Sequence, residues 1–408
     1  MANFFKVLHR SNKSKARLGE IRTVHGVVKT PAFVPVATKG SIKALWPNMI
    51  KPAYAKASAR QVGIQVAFVN TYHLVTHPGT EIISKVGGIH KFANLNIPLM
   101  SDSGGFQVFS LARKNKSKIL NSKQEKIKIF QTDERKDLRP LVVKISDDGV
   151  KFRSTFDGEL IEFTPEKSIE YQRKIGADLM MAFDECITYG SSYKYSKEAT
   201  ERTHRWLLRS IGQNQILNIK NKKNIIQRQY LYGVIQGGTY KDLRKKSAEF
   251  VVSQNVDGVA IGGVSVGETK KEMRDEVRWV SDYLPKDRPV HLLGVGQVDD
   301  IIDLVKYGID TFDCVEPTRK ARVGALFQSK IKNGIKEIDI LKGKYRYDLS
   351  VVDENCQCYV CQNFTKSYLH HLFKQRELLG YSLATYHNLW VMEKLFDRIR
   401  ELIQRDQL

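Results

Sequence analysis

The sequence predicts an α/β fold in which a (β/α)8 TIM barrel carries a small C-terminal subdomain. Eight short apolar runs of the buried, continuous kind recur along the chain, and several stop at a polar residue or a glycine. These runs are AFVPVA, VAFVN, PLMSD, LMMAFDE, YGVIQGG, GVAIGG, HLLGVG and GIDTFDC. Amphipathic helical patterns separate several of them, and strands that alternate with helices in this number favour a closed parallel barrel.

Helix boundaries can be assigned at two places between the runs. In residues 268–284, apolar side chains recur every third or fourth position until Pro285 stops the pattern. Thr164 is a candidate N-cap with Pro165 at the first helical position, and the helix that follows is expected to end near Gly176. Both segments therefore predict helices that lie between strands.

One segment does not show the alternation of strand and helix patterns that a barrel requires. Residues 112–140 are lysine-rich and lack a clear period, so we interpret them as a basic insertion. A solvated loop is the favoured interpretation, and contact with a phosphate backbone is the alternative. The alternating runs around Asp148 and Gly149 that follow predict a β-hairpin.

Composition points to a nucleic-acid partner. The chain has 408 residues, 42% of them hydrophobic, which is enough for one large core with a satellite module. It has 66 Lys and Arg against 44 Asp and Glu, a formal net charge of +22. Such a field favours a polyanion over the alternative of a basic surface that only aids solubility. The sequence contains no membrane-spanning apolar run and no secretory leader, so we expect a cytoplasmic protein without a membrane partner.

Three of the five cysteines form a C-x-C-x-x-C motif at Cys356, Cys358 and Cys361. Near neighbours of this kind make strained disulfides, whereas three thiolates converge well on one tetrahedral Zn²⁺. With an imidazole as fourth ligand, the site would be closed and structural rather than catalytic. The spacing does not choose among three downstream histidines, His370, His371 and His387.

The motif sets the predicted domain organisation. We expect the barrel, with its insertion, to span residues 1–345 and the zinc-binding subdomain to span residues 346–387. A C-terminal helix in residues 388–408 is expected to pack back on the barrel.

Carboxylates in two of these runs form a candidate catalytic pair. Asp102 ends PLMSD, and Asp313 lies within GIDTFDC. Because the C-terminal strand ends of a (β/α)8 barrel form its site, both would lie at one mouth. Two such carboxylates suit chemistry at a glycosidic carbon, with one as nucleophile and the other as proton carrier. For any single polar strand end, capping of the next helix is an equally good interpretation.

Two further strand ends have groups that suit a purine. The carboxylate of Asp184 can accept from two adjacent N–H groups of guanine, and the amide of Gln236 can donate to its carbonyl. Gly262 and Gly263 would allow the backbone to approach a base closely. A polar barrel mouth of this composition also suits other ligands.

Two arginines follow Asp313 closely. Arg319 and Arg322 are three residues apart in CVEPTRKARVG. Paired arginines suit contacts with phosphates or base edges, and surface ion pairing is the alternative.

In combination these motifs resemble the tRNA-guanine transglycosylases over nearly the whole chain. The resemblance depends on the order and spacing of SDSGGFQ, MAFDEC, GVIQGG, GGVSVGE, GVGQVDDI, FDCVEPTR and the cysteine motif followed by ATYHN. It implies a (β/α)8 barrel with one structural zinc. It also implies an enzyme, commonly a homodimer, that exchanges guanine at the wobble position of GUN-anticodon tRNAs for a 7-deazaguanine base, in queuosine biosynthesis.

The resemblance also implies a role for each matching residue. Asp313 would attack ribose C1′ and form a covalent enzyme–tRNA intermediate, and Asp102 would act as general acid and base. His387, in the matching YHN context, would be the fourth zinc ligand. Thr318, Arg319 and Arg322 would contact RNA. The positions that hold the base would be Ser103, Phe106, Asp184, Gln236, Gly263, Val264, His291 and Leu293.

Some positions depart from the family pattern and bear on the choice of base. His291 and Leu293 stand where many members have an aromatic residue and a methionine, so stacking under the base is expected to change. Cys186 and Val266 are similar to the form that takes the small base preQ1, and queuine is the rival substrate. The competing functions are a non-catalytic tRNA-binding partner subunit and a metabolic barrel lyase, and the presence of both carboxylates favours the enzyme.

Overall fold

The computed structural model describes residues 4–50, 61–105, 142–154, 156–220, 228–330 and 334–408. The predicted basic insertion at residues 112–140 lies outside these ranges. The strands, in chain order, are β1 (Phe5–Arg10), β2 (Arg17–Thr23), β3 (Gly26–Thr30), β4 (Ala32–Pro35), β5 (Ala67–Val69), β6 (Leu99–Ser101), β7 (Val142–Ile145), β8 (Val150–Arg153), β9 (Leu160–Phe163), β10 (Leu179–Met181), β11 (Tyr230–Ile235), β12 (Gly258–Ile261), β13 (Val290–Leu292), β14 (Thr311–Cys314), β15 (Ala325–Lys330) and β16 (Gly334–Asp339).

The helices of the described residues follow most barrel strands and form the C-terminal region. The α-helices are Thr71–Thr76, Thr80–Val86, Ile89–Ala93, Pro165–Ile175, Tyr193–Lys220, Lys241–Ser253, Lys270–Val280, Val298–Val305, Glu316–Arg322, Tyr359–Asn363, Lys366–Lys374 and Leu378–Gln404, with 3-10 turns at Pro47–Met49 and Gly343–Tyr345. Within the described residues, every helix is too short or too polar to cross a membrane.

Eight parallel strands form a nearly closed barrel, as predicted. Their order around the sheet is β4, β14, β13, β12, β11, β10, β6 and β5, and a parallel bridge between Val36 and Phe68 joins the two ends. Each of the eight apolar runs supplies one strand. Because all strands run the same way, the residues at their carboxyl ends meet at one mouth.

The two helix boundaries follow from local chemistry. The Thr164 side chain accepts from the backbone N–H of Lys167, and Gly176 ends the helix in the left-handed region at φ +78°. These caps confirm the predicted helix. In the second case a Thr269–Glu272 capping box begins the helix, which ends at Val280 instead of continuing to residue 284. The Ser281 hydroxyl donates to the carbonyl of Arg278 there and satisfies a terminal acceptor.

An antiparallel sheet of β1, β2 and β3 covers the amino-terminal end of the barrel. Phe5, Ile21 and Val28 of this sheet share one buried cluster with side chains from the barrel interior. Arg17 of β2 is buried and pairs with Asp310, with 2.6 Å between Nη2 and Oδ2. Asp310 precedes β14, so this ion pair lies at the end of the barrel opposite the mouth.

The predicted hairpin around Asp148 and Gly149 is confirmed. Strands β7 and β8 pair antiparallel across this turn, and β9 extends them to three strands. Phe152 and Phe163 of this sheet pack in a buried aromatic cluster with residues that include Phe183 and Trp206.

The C-terminal region is built on one long helix. Leu378–Gln404 contains His387 and continues beyond it to contact β4 and β15. The predicted metal ligand and the predicted barrel-packing segment therefore belong to a single element.

Candidate active site and metal centre

Asp313 lies in β14 near its carboxyl end, and one of its two carboxylate oxygens has hydrogen-bond partners among the described residues. Its Oδ1 accepts from the backbone N–H of Gly294 at 2.9 Å and lies 3.1 Å from Nε2 of the buried His291. Nδ1 of His291 is 2.8 Å from the hydroxyl of Thr311, and its ring stacks near Phe68. His291 thus contacts the carboxylate directly, which its sequence position alone did not indicate.

Asp102 follows β6 directly, and its carboxyl group lies at the start of the Thr71–Thr76 helix. Its Oδ1 accepts from the backbone N–H of Thr71 at 2.6 Å, and its Oδ2 accepts from the side chain of Asn70. Burial outweighs these hydrogen bonds and raises the pKa of Asp102 to about 7. Asn70 also caps the Thr71–Thr76 helix by accepting from His73, so it has both a capping role and a role at the site.

A polar group of three side chains lies next to Asp102. Asp184 accepts from the hydroxyl of Ser103 at 2.7 Å and from Nε2 of Gln236 at 2.8 Å. All three side chains are buried, and burial raises the pKa of Asp184. A Cβ at Gly105 would lie 2.1 Å from the carbonyl oxygen of Asp184, so this approach requires glycine.

The loop after β12 approaches the same group. Gly263 has φ +62°, and a Cβ there would lie 2.2 Å from Oε1 of Gln236. Val264 is buried beyond it, and Leu293 follows β13 directly and lies near Gly262. The backbone at Gly262 and Gly263 therefore lies close to Gln236, and its approach to a base stays a prediction.

Cys186 and Val266 form a small apolar cluster of their own, and both are buried. Cys186 follows Asp184 by two residues, so this cluster lies at the edge of the polar group. Phe106, predicted to contact the base, lies outside the described residues.

The helix Glu316–Arg322 begins directly after Asp313 and Cys314 and carries the predicted RNA contacts. Thr318 is buried and donates to the carbonyl of Val315, whereas Arg319 is exposed. Arg322 donates to the carbonyl of Thr318, and burial together with the charge of Arg319 lowers the pKa of Arg322. The two arginines therefore lie side by side beyond the mouth.

The sequence analysis did not identify Glu268 and Arg244, which hold the loop after β12 at the barrel mouth. Glu268 accepts from the backbone N–H groups of Ser265 and Val266 and so holds the loop after β12. Arg244 donates to the carbonyl oxygens of Gly262 and Gly263 from a neighbouring helix. The sequence around Glu268 and Arg244 does not indicate these contacts, since each is one of several charged residues in a polar segment.

Four buried side chains form a cluster that could hold a metal ion. The ligand atoms of Cys356, Cys358, Cys361 and His387 all lie within 4.8 Å of one another. Nδ1 of His387 faces the thiols, and its Nε2 donates to the carbonyl of Phe327 at 2.6 Å. A tetrahedral zinc fits this donor set, with the carbonyl of Phe327 fixing the orientation of the imidazole. The fold thus selects His387 over His370, whose Nδ1 instead contacts the carbonyl of Ile340.

The fold and the site together define a (β/α)8-barrel protein with carboxylates at its mouth and a C-terminal Cys3His cluster. The family model described as queuine tRNA-ribosyltransferase matches residues 12–408. The queuine tRNA-ribosyltransferase of Caldanaerobacter subterraneus subsp. tengcongensis is 42% identical over 404 residues, which cover 99% of this chain and 94% of that protein. The chain belongs to the tRNA-guanine transglycosylase family of enzymes, also called queuine tRNA-ribosyltransferases.

Relatives from other lineages are similar over the same extent. The queuine tRNA-ribosyltransferase of Aquifex aeolicus is 41% identical over 402 residues, 98% of this chain and 95% of that protein. A putative queuine tRNA-ribosyltransferase of Archaeoglobus fulgidus is 39% identical over 407 residues, 98% of this chain and 95% of that protein.

Proposed function

We propose that this enzyme exchanges guanine at position 34 of GUN-anticodon tRNAs for a 7-deazaguanine base, with preQ1 favoured over queuine. The observation that carries the proposal is the barrel mouth itself. It combines Asp313 and Asp102, at the ends of β14 and β6, with the polar group around Asp184. We expect this reaction to take place in the cytoplasm, where tRNA is processed.

Asp313 acts as the nucleophile. Gly294 donates to Oδ1, and His291 also donates to it if its proton is on Nε2, so we assign the attack on the substrate to Oδ2. Oδ2 attacks ribose C1′ as the glycosidic bond to N9 of guanine breaks, and a covalent enzyme–tRNA ester forms. The incoming base then attacks C1′ and releases Asp313, so two displacements retain the configuration.

Asp102 moves the protons. With a pKa near neutrality, it is present in both protonation states at physiological pH. Its acid form gives a proton to the departing guanine, and its carboxylate form takes the proton from N9 of the incoming base. The hydrogen bonds from Thr71 and Asn70 fix the carboxyl group for both steps.

The base is held by its Watson–Crick edge. The Asp184 carboxylate accepts from N1–H and the 2-amino group, and the second N–H of Gln236 donates to O6. The base must leave the anticodon stack to reach this depth. We assign the small 7-substituent of preQ1 to the side lined by Cys186 and Val266, because a buried valine there favours a small substituent over a bulky one.

Thr318, Arg319 and Arg322 contact nucleotides beside the flipped base, since their helix begins directly after Asp313. Cys356, Cys358, Cys361 and His387 would hold one zinc, which supplies no chemistry to the reaction. It would instead fasten the Tyr359–Asn363 turn to the long C-terminal helix.

A homodimer is the proposed assembly. Tyr347, Leu349, Tyr368 and Leu378 all belong to the C-terminal region and are exposed large apolar side chains. The Lys366–Lys374 helix is joined to the Tyr347–Leu349 segment by a backbone hydrogen bond from Ser367 to Asp348, so they form one surface. A second copy would cover it.

Incorporation of labelled guanine tests the function. The substrate is a tRNA transcript with guanine at position 34 and uracil at position 35, and the control transcript has adenine at position 34. Label should enter only the first transcript. Asp313→Asn should abolish incorporation and the denaturant-resistant enzyme–tRNA adduct, because the amide keeps the Gly294 hydrogen bond but is not a nucleophile.

Asp287→Asn is the matched control, since this carboxylate has 86% exposure and precedes β13 at the opposite end of the barrel. It should leave incorporation unchanged. Competition with preQ1 and queuine then ranks the two bases. Label in the control transcript, or full activity of Asp313→Asn, would refute the mechanism. Salt-sensitive tRNA binding without any incorporation would instead identify a non-catalytic partner subunit.

A further inference from the structure

Arg244 is a fully buried arginine on the Lys241–Ser253 helix, outside the group of side chains that contact the base. Its guanidinium donates to three backbone carbonyls, those of Gly238 at 2.7 Å, Gly262 at 2.6 Å and Gly263 at 2.6 Å. Gly238 belongs to the loop after β11, and the other two belong to the loop after β12. One side chain therefore ties together two loops at the barrel mouth.

These two loops carry Gln236 and Gly263, two of the residues that we propose to contact the base. Gln236 begins the first loop, and its backbone N–H donates to Ser247 on the same helix as Arg244. The loops are pressed together, because a Cβ at Gly262 would lie 2.8 Å from Nε2 of Gln236 and one at Gly263 would lie 2.2 Å from its Oε1. A shift of either loop by a fraction of an ångström therefore changes where the Gln236 amide lies.

Arg244 forms a direct ion pair with Glu276 and also interacts electrostatically with Glu268. Its Nη2 lies 2.7 Å from Oε2 of Glu276, which has 1% exposure. Burial raises the pKa of Glu276 to about 7, so this carboxylate is costly to ionise where it lies. A buried ion pair usually stabilises a fold less than apolar packing does. The geometry that this pair imposes on its neighbours is therefore the better explanation of its role. Only a planar guanidinium can reach three carbonyls and a carboxylate from one fixed point.

The opposite end of the barrel provides a structural counterpart. Arg17 has 4% exposure, pairs with Asp310 and donates to the carbonyls of Pro285, Lys286 and Arg288. Both arginines are buried, paired with a carboxylate and bonded to three backbone carbonyls. They differ in location, because Arg17 lies at the amino-terminal end and Arg244 lies at the mouth.

We propose that Arg244 is a positioning residue for base recognition: it sets the distance between Gln236 and the Gly262–Gly263 loop, and with it the affinity for the free purine base. This inference deepens the proposed function and rests on it. The affinity for tRNA, which depends on charge outside the pocket, should depend little on Arg244.

Arg244→Lys tests the proposal, with Arg17→Lys as the matched control. Lysine keeps the charge but presents a point donor that cannot bond all four acceptors at once. For Arg244→Lys, we expect the KM for guanine to rise by about tenfold or more, consistent with lost charge-assisted hydrogen bonds. The KM for tRNA and kcat at saturating guanine should change by less than about threefold, since neither depends on those bonds.

For Arg17→Lys, we expect a comparable fall in melting temperature with the KM for guanine unchanged. Equal effects of both variants on the KM for guanine would show a general loss of stability and overturn the proposal. So would an unchanged KM for guanine in Arg244→Lys.

A second variant covers the case in which Arg244→Lys does not fold. Glu276→Gln keeps the shape and one acceptor oxygen but removes the countercharge, and it should raise the KM for guanine in the same selective way. Direct titration of guanine into each protein by calorimetry separates this inference from the proposed function. If the wild-type protein binds guanine without exchanging it, the proposed function is refuted. If the Arg244→Lys protein binds guanine as tightly as wild type, the role proposed for Arg244 is refuted.

Discussion

Asp102→Asn is expected to change how the free energy of unfolding depends on pH. The carboxyl group accepts from Thr71 and Asn70, and burial raises its pKa from 3.8 to about 7. The folded protein therefore holds a proton on Asp102 that the unfolded chain releases near pH 4. Asparagine has a similar shape and does not titrate, so the comparison isolates this one ionisation.

The size of the effect follows from the pKa. Each unit corresponds to about 1.36 kcal/mol, so ionised Asp102 costs the folded state up to about 4 kcal/mol at high pH. Because the folded-state pKa is raised, the stability that wild type draws from protonated Asp102 is complete below pH 3.8 and is lost as pH rises through 7. Between pH 5.5 and 8, the variant should gain about 2 kcal/mol relative to wild type.

Urea denaturation of both proteins at a series of pH values measures this difference. Any constant effect of the substitution, such as an unfavourable contact between the new amide and Asn70, shifts every point equally and does not affect the slope. The other titrating groups are shared, and the charge of Asp184, which helps to raise the pKa of Asp102, makes the measured difference that of the coupled pair. A difference that stays constant across this pH range would refute the assignment of a raised pKa to Asp102.

Three further substitutions test the site. Gly263→Ala adds a Cβ 2.2 Å from Oε1 of Gln236 at φ +62°, so the KM for guanine should rise by about tenfold or more. Val266→Gly removes the apolar side chain next to Cys186, and the kcat/KM ratio of queuine to preQ1 should rise by about tenfold. His387→Ala removes one of four zinc ligands, so metal analysis after dialysis against a chelator should find little zinc, and the melting temperature should fall.

Matched controls accompany these variants. Gly158→Ala introduces the same backbone strain at φ +81°, and the added Cβ meets no atom of the described residues beyond its chain neighbours within 4 Å, so it should leave the KM for guanine unchanged. His370→Ala removes the other buried histidine of this region, and it should keep its zinc. Zinc loss in both histidine variants, or an unaltered base preference in Val266→Gly, would contradict the assigned roles.

Much of the fold is determined by short-range pattern. Each barrel strand contains a run of three to five buried residues, and turn residues such as Gly176 mark where helices end. The same rule predicts that Asp102, Asp184 and Asp313 meet at the mouth, because parallel strands have their carboxyl ends on one side. The C-x-C-x-x-C spacing likewise indicates a metal, because three thiolates within six residues can converge without help from the rest of the chain.

Other properties depend on contacts between residues far apart in sequence. The choice of His387 was decided by which helix packs against the cysteine loop, and in the sequence His370 and His371 were equally plausible. The contact of His291 with Asp313 and the proton affinity of Asp102 depend on neighbouring strands and on burial. The clearest case is Arg244, which in the sequence is one charged residue among the lysines of its helix. It acquires a specific role only because the barrel brings the carbonyls of Gly238, Gly262 and Gly263 within reach of its guanidinium.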